Sequence, residues 1–83
     1  MSGVPTHVVV DGRRYKLPTA VTLAEARAVV EIADVDFKDI GAYLRRGDPA
    51  AITAVVWLAM KQTNPWITPA AAERIDIETI GLV

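Results

Sequence analysis

Apolar positions along this chain follow two different rhythms, and the change of rhythm divides it into a short β part and a longer helical part. In "HVVVDGRRYKL" a β-branched run leads into Asp11-Gly12, after which Arg13, Tyr15 and Leu17 alternate with Arg14 and Lys16. Asp-Gly suits a two-residue turn because both central positions need positive φ, so residues 7–17 are predicted to form a β-hairpin. A lone two-stranded hairpin is marginal in water, and one of its faces must therefore pack on helices. Val8, Val10, Tyr15 and Leu17 are the candidates for that face. Pro18 ends the ladder because it has no N–H to give.

After Pro18 the spacing becomes helical, and each helix start carries its own signal. Thr22 followed by Glu25 is a capping box opening a helix from Leu23 to about Ala33, with Leu23, Ala26, Val30 and Ala33 on one stripe. Asp36 is expected to cap "FKDIGAYLRR", whose apolar face is Phe37, Ile40, Tyr43 and Leu44, and Gly47 ends that helix in a left-handed conformation. Asp48-Pro49 and Thr68-Pro69 repeat one device, a capping side chain followed by proline at the first helical position. The first opens a helix to about Thr63 that is apolar nearly all round, through Ile52, Val55, Val56, Trp57, Leu58 and Met60. That pattern marks a central helix contacted from several sides. The second opens a short alanine-rich helix to about Ile75, and "DIETIGLV" closes the chain with Ile77, Ile80, Leu82 and Val83.

These elements define the expected fold: mainly α with an N-terminal β-hairpin (α+β), a small bundle of about four short helices around a central apolar helix. With 83 residues and no linker, repeat or low-complexity tract, the chain reads as a single domain, 1–83. Hydrophobic content of 52% against 23% charged residues belongs to a folded globule rather than a disordered chain. The longest apolar run, Ala50 to Met60, is interrupted by Thr53 and falls short of the ~18 residues of a membrane helix. "MSGVPTHVVV" has neither the basic region nor the apolar core of a signal peptide, so the expected location is the cytoplasm.

Charge and chemistry narrow the function by exclusion. Ten acidic side chains stand against nine basic ones, a net charge of −1, which provides no field for steering toward DNA, RNA or anionic lipid. Arg13, Arg14, Lys16, Arg45 and Arg46 are read as solvated surface, nucleic-acid contact being the lesser alternative. There is no cysteine, His7 is the only histidine and Ser2 the only serine, so no catalytic triad and no multi-histidine or thiolate metal site can be assembled. Asp34, Asp36 and Asp39 lack the central glycine and distal glutamate of a calcium loop and are read as caps. The glycines never form a phosphate-cradling pattern. No cofactor, no metal and no enzymatic activity are expected, which leaves a protein partner.

The two tryptophans carry the remaining information. Trp57 lies mid-helix and reads as core. Trp66 lies between two helices and is either a packing staple or a partly exposed anchor, since tryptophan is enriched at interface hot spots. The segment "FKDIGAYLRRGDPAAITAVVWLAMKQTNPWITPAAAERI" resembles the small tail assembly chaperones of long-tailed bacteriophages, especially those of actinobacterial hosts. The resemblance lies in an acidic cap, an "RRGDP"-like turn, an "A-x-x-A-x-V-W-L-A"-like helix ending in a polar segment with proline, and a threonine-capped last helix. "VVVDGRRYKLP" followed by "TLAEA" fits the same family, whose members often begin with such a hairpin and capped helix. The last helix is less acidic near its cap than in that family.

The resemblance implies a non-enzymatic protein of the host bacterial cytoplasm that coats the phage tape-measure protein and helps to recruit tail-tube subunits. Such a client calls for helix-in-groove recognition. The candidate contact residues are Trp57, Met60, Trp66 and Ile67, with Ile77, Ile80 and Leu82 as lid or contact. A surplus of apolar positions, most of all "IGLV", predicts self-association as a homo-oligomer. The alternatives are a structural subunit of the phage head or tail and, less favoured, a small nucleic-acid-binding regulator.

Overall fold

The computed structural model describes residues 6–18 and 20–82, without the side chain of Leu82. Its first elements are strands β1 (His7–Val10) and β2 (Arg13–Lys16), paired antiparallel with Val8 opposite Tyr15 and Val10 opposite Arg13. Asp11 and Gly12 have φ of 51° and 83°, the left-handed pair that lets the turn follow the twist of its strands. Val8 and Val10 are buried while Tyr15 and Leu17 are half-buried, so the hairpin packs by the predicted face.

Helix α1 (Leu23–Ala33) begins at the capping box. The Glu25 N–H donates to the Thr22 hydroxyl at 3.1 Å, and the Thr22 N–H donates to the Glu25 carboxylate at 3.0 Å. Asp34, at φ 58°, ends the helix in the left-handed region that aspartate tolerates better than most residues. The buried positions are Val29 and Ala33, flanked by half-buried Ile32, whereas Leu23 is 86% exposed. The core side of α1 is thus rotated away from the predicted stripe, which keeps only Ala33 inside. Leu23 lies within the first turn, where a side chain overhangs the end of the helix.

Between Phe37 and Arg45 the structure departs again from expectation. Phe37–Asp39 is a 3-10 turn and α2 is confined to Ile40–Arg45. Asp36 makes no side-chain capping bond; its backbone carbonyl accepts from the Asp39 N–H at 2.9 Å. Ile40 is buried, Tyr43 and Leu44 are half-buried, and Phe37 remains 46% exposed. The exit follows the prediction: Gly47 has φ 77° and donates to the Leu44 carbonyl at 3.0 Å, and the Asp48 N–H reaches the Tyr43 carbonyl at 3.1 Å. These two bonds form a Schellman closure.

Helix α3 (Pro49–Lys61) is the centre of the fold. The Asp48 carboxylate accepts from the Ala51 N–H at 3.0 Å and so fixes its start. Ala51, Ala54 and every residue from Val55 to Ala59 are buried, so α3 is enclosed on all sides in that stretch. One core joins Val8 and Val10 of the hairpin, Val29 and Ala33 of α1, Ile40 of α2, α3, and Ala72 of α4 (Pro69–Glu73). The Thr68 hydroxyl caps α4 by accepting from the Ala71 N–H at 3.2 Å.

The C-terminal segment is an addition to the expected fold. After a 3-10 turn at Ile77–Thr79, residues Ile80–Leu82 form β3, antiparallel to β1. Val10 pairs with Ile80 and Val8 with Leu82, giving a sheet in the order β2-β1-β3. The Asp11 N–H extends the ladder to the Thr79 carbonyl at 3.0 Å. The "IGLV" segment taken above as a self-association surface is therefore used within the sheet as far as Leu82. Val83, Ser2 and the Leu82 side chain lie outside the described residues. Among the described residues no helix is long and apolar enough to cross a membrane.

Candidate protein-interaction surface

The turn between α3 and α4 displays Trp66, and backbone bonding holds it in place. The Asn64 N–H donates to the Met60 carbonyl at 2.8 Å and the Ile67 N–H to the Asn64 carbonyl at 3.1 Å. The Asn64 side-chain oxygen accepts from the Trp66 N–H at 3.3 Å, an Asx turn that Asn64-Pro65 favours. Trp66 itself is 87% exposed, so its alternative as a packing staple falls away. An exposed indole on a turn already ordered by hydrogen bonds loses little conformational freedom when it docks.

Trp57 has the opposite role. It is buried in α3, and its indole N–H donates to the Ile67 carbonyl at 3.1 Å. That bond ties the Trp66 turn to the core. The Lys61 ammonium lies 5.7 Å from the Trp57 ring centroid and 3.4 Å from the Glu25 carboxylate, so the same indole also borders the α1 capping box. The Thr22 N–H and, after it, the Lys61 ammonium hold the Glu25 carboxyl below the ordinary carboxylate range, while partial burial opposes them.

The expected contact residues are therefore divided between surfaces. Trp57 belongs to the core and cannot line a groove, and Ile67 is half-buried and packs on the core beside it. Met60 turns toward the hairpin, in an open concavity of about 440 Å³ shared with Val10, Arg13, Tyr15 and Ile75. Ile77 and Ile80 line a narrower slot of about 130 Å³ between α3, α4 and the C-terminal segment, together with Ile52, Val56, Ala72 and Ile75. Ile77, at 52% exposure, forms its rim. For Leu82 the described part is the backbone, paired with Val8.

The sequence missed the slot because its walls come from residues about 30 positions apart, Ile52 and Ile80, which meet only when β3 docks. Its size is close to the ~150 Å³ of an apolar cavity that admits a benzene ring. His7 bonds with the Thr6 hydroxyl at 2.9 Å, and among the described residues no three His, Cys, Asp or Glu side chains gather where a metal could sit. Comparison of the chain with protein-family models, with curated proteins and with solved structures finds no match. The likeness to tail assembly chaperones thus rests on the pattern of caps and apolar positions alone.

Proposed function

We propose that this protein is a non-enzymatic binding module for an apolar helical client, acting as a tail assembly chaperone on a phage tape-measure protein. The observation that carries the reading is Trp66, almost fully exposed on a turn pinned through Trp57 to the core. A tryptophan held in water on a hydrogen-bonded turn offers a partner a pre-organised anchor. The slot rimmed by Ile77, with Thr53 and Glu73 among its walls, supplies a second contact of a different shape, a hole for one side chain of an amphipathic helix. Recruitment of tail-tube subunits is the further step that the resemblance suggests.

Co-expression with a tape-measure protein, followed by capture through a tag on this chain, tests the proposal. Co-purification that Trp66→Ala reduces, with the fold intact, supports it. A client that remains insoluble and uncaptured with the wild-type chain refutes it. Recovery of this chain in stoichiometric amounts from mature particles would instead assign it to the virion as a structural subunit.

A further inference from the structure

The side of α1 turned away from the core carries an apolar strip that, among the described residues, nothing covers. Leu23, 86% exposed, joins half-buried Ala26 and Val30 in a shallow open concavity bordered by Arg27 and Glu31. The two charged residues are exposed and stand about one helical turn apart. Arginine four residues before glutamate is the weaker order for an intrahelical pair, and these two form none. Among the described residues the ion pair that does form is Lys61–Glu25.

One arrangement satisfies both charges and covers the strip at once. We propose that this face of α1 docks on the same face of a second copy of the chain, with the two helices antiparallel about a two-fold axis. The axis passes at the level of residue 29, midway between Arg27 and Glu31. Each of these residues then lies ~3 Å along the helix from the axis, at 1.5 Å per residue, so Arg27 of each copy faces Glu31 of the other. Val30, next to the axis, meets its counterpart, Ala26 allows the backbones to approach closely, and Leu23 covers the rim ~9 Å away. A two-fold contact is self-complementary by construction, which is why a strip bearing one cation and one anion suits it. Lys or Arg alone on this face would repel its own copy.

The inference stands apart from the chaperone reading, because the strip does not include Trp66 or the slot rimmed by Ile77. A contact confined to a three-turn helix falls below the ~800 Å² per partner of a standard interface, so the dimer is a weak one.

Sedimentation equilibrium from the low micromolar range to ~1 mM tests it, with circular dichroism to verify the fold of each variant. Arg27→Glu alone and Glu31→Arg alone should each weaken self-association about tenfold or more, by placing like charges across the axis. The double variant Arg27→Glu, Glu31→Arg should restore it. An equimolar mixture of the two single variants should associate more tightly than either alone, since both charge pairs are opposite in the heterodimer. If a reversal perturbs α1, Arg27→Ala and Glu31→Ala keep helix propensity and should each loosen the dimer about threefold. A strict monomer over the whole range overturns the proposal. So does a dimer indifferent to both single reversals, or single variants that fail to complement each other.

Discussion

Replacing Trp57 by phenylalanine isolates one hydrogen bond between the core and the displayed turn. A phenyl ring retains a π face for Lys61, which lies 5.7 Å from the centroid, but it has no N–H for the Ile67 carbonyl now 3.1 Å away. Stranding that carbonyl costs roughly 1–3 kcal/mol, and the smaller ring adds about 1 kcal/mol of lost packing, so ~2–4 kcal/mol is expected. A domain of this length has a total stability of roughly 4–12 kcal/mol, so the variant should remain folded but visibly weakened. Converted through the unfolding entropy of a domain this small, the loss lowers Tm by about 10–30 °C. Thermal unfolding followed by far-ultraviolet circular dichroism reads the shift. Trp66→Phe, run beside it, should leave Tm within about 3 °C, because its side chain is 87% exposed. In that second variant the remaining Trp57 should emit to the blue and resist acrylamide quenching. A Trp57→Phe shift no larger than that of Trp66→Phe would refute the claim that the Trp57 N–H fixes the turn.

The same bond predicts that Trp57→Phe weakens client capture even where the protein is fully folded, because the turn is less ordered; equal capture by both chains would separate display from the core. Thr22→Ala removes half of the capping box and should cost about 1 kcal/mol, measured by urea unfolding, with α1 fraying first in hydrogen exchange. The depressed Glu25 pKa fixes the sign of a pH effect: the unfolded chain binds the proton more readily, so the stabilisation is complete above the ordinary value of 4.5 and is lost as pH falls through the folded-state value. Glu25→Gln should flatten that part of the stability–pH curve, and a curve unchanged by the substitution counts against the assignment. Gly12→Ala forces a Cβ onto φ 83° and should cost about 1 kcal/mol although open space surrounds it, a loss visible in Tm.

What the sequence disclosed was local. Asp11-Gly12, Thr22 with Glu25, Asp48-Pro49, Gly47 and Thr68-Pro69 each satisfy backbone groups within about four residues, and each marks a boundary that the structure places there. Helix α3 was legible for a different reason: residues apolar on every side can be accommodated only at a centre. Strand β3 was not legible, because Ile80 and Leu82 alternate around Gly81 over too short a span to declare a strand without β1 beside them. Leu23 misled because helical spacing says which residues share a face but not which face meets the core. Asp36 misled because a tight 3-10 turn satisfied its neighbours through the backbone carbonyl. The candidate surface was half-legible: Trp66 was singled out by its position between two helices and Trp57 was read as core by its place in α3, while the inward turn of Ile67 depended on a bond across ten residues.

The pairing of β1 with β3 also dictates an order of events during synthesis. Val8 to Val10 leave the ribosome early, whereas their partners Ile80 to Leu82 follow about 70 residues later, or roughly 4–14 s at ordinary elongation rates. Throughout that interval the hairpin has one β1 edge bare, and that edge is a run of three valines, the kind of segment that recruits strands from other chains. Closing a loop of that length also costs entropy that no neighbouring contact has yet offset, so sheet completion comes late. A nascent chain stalled before Ile80 is consequently the species most exposed to strand exchange, and synthesis of Ile80–Leu82 determines when the molecule is protected from it.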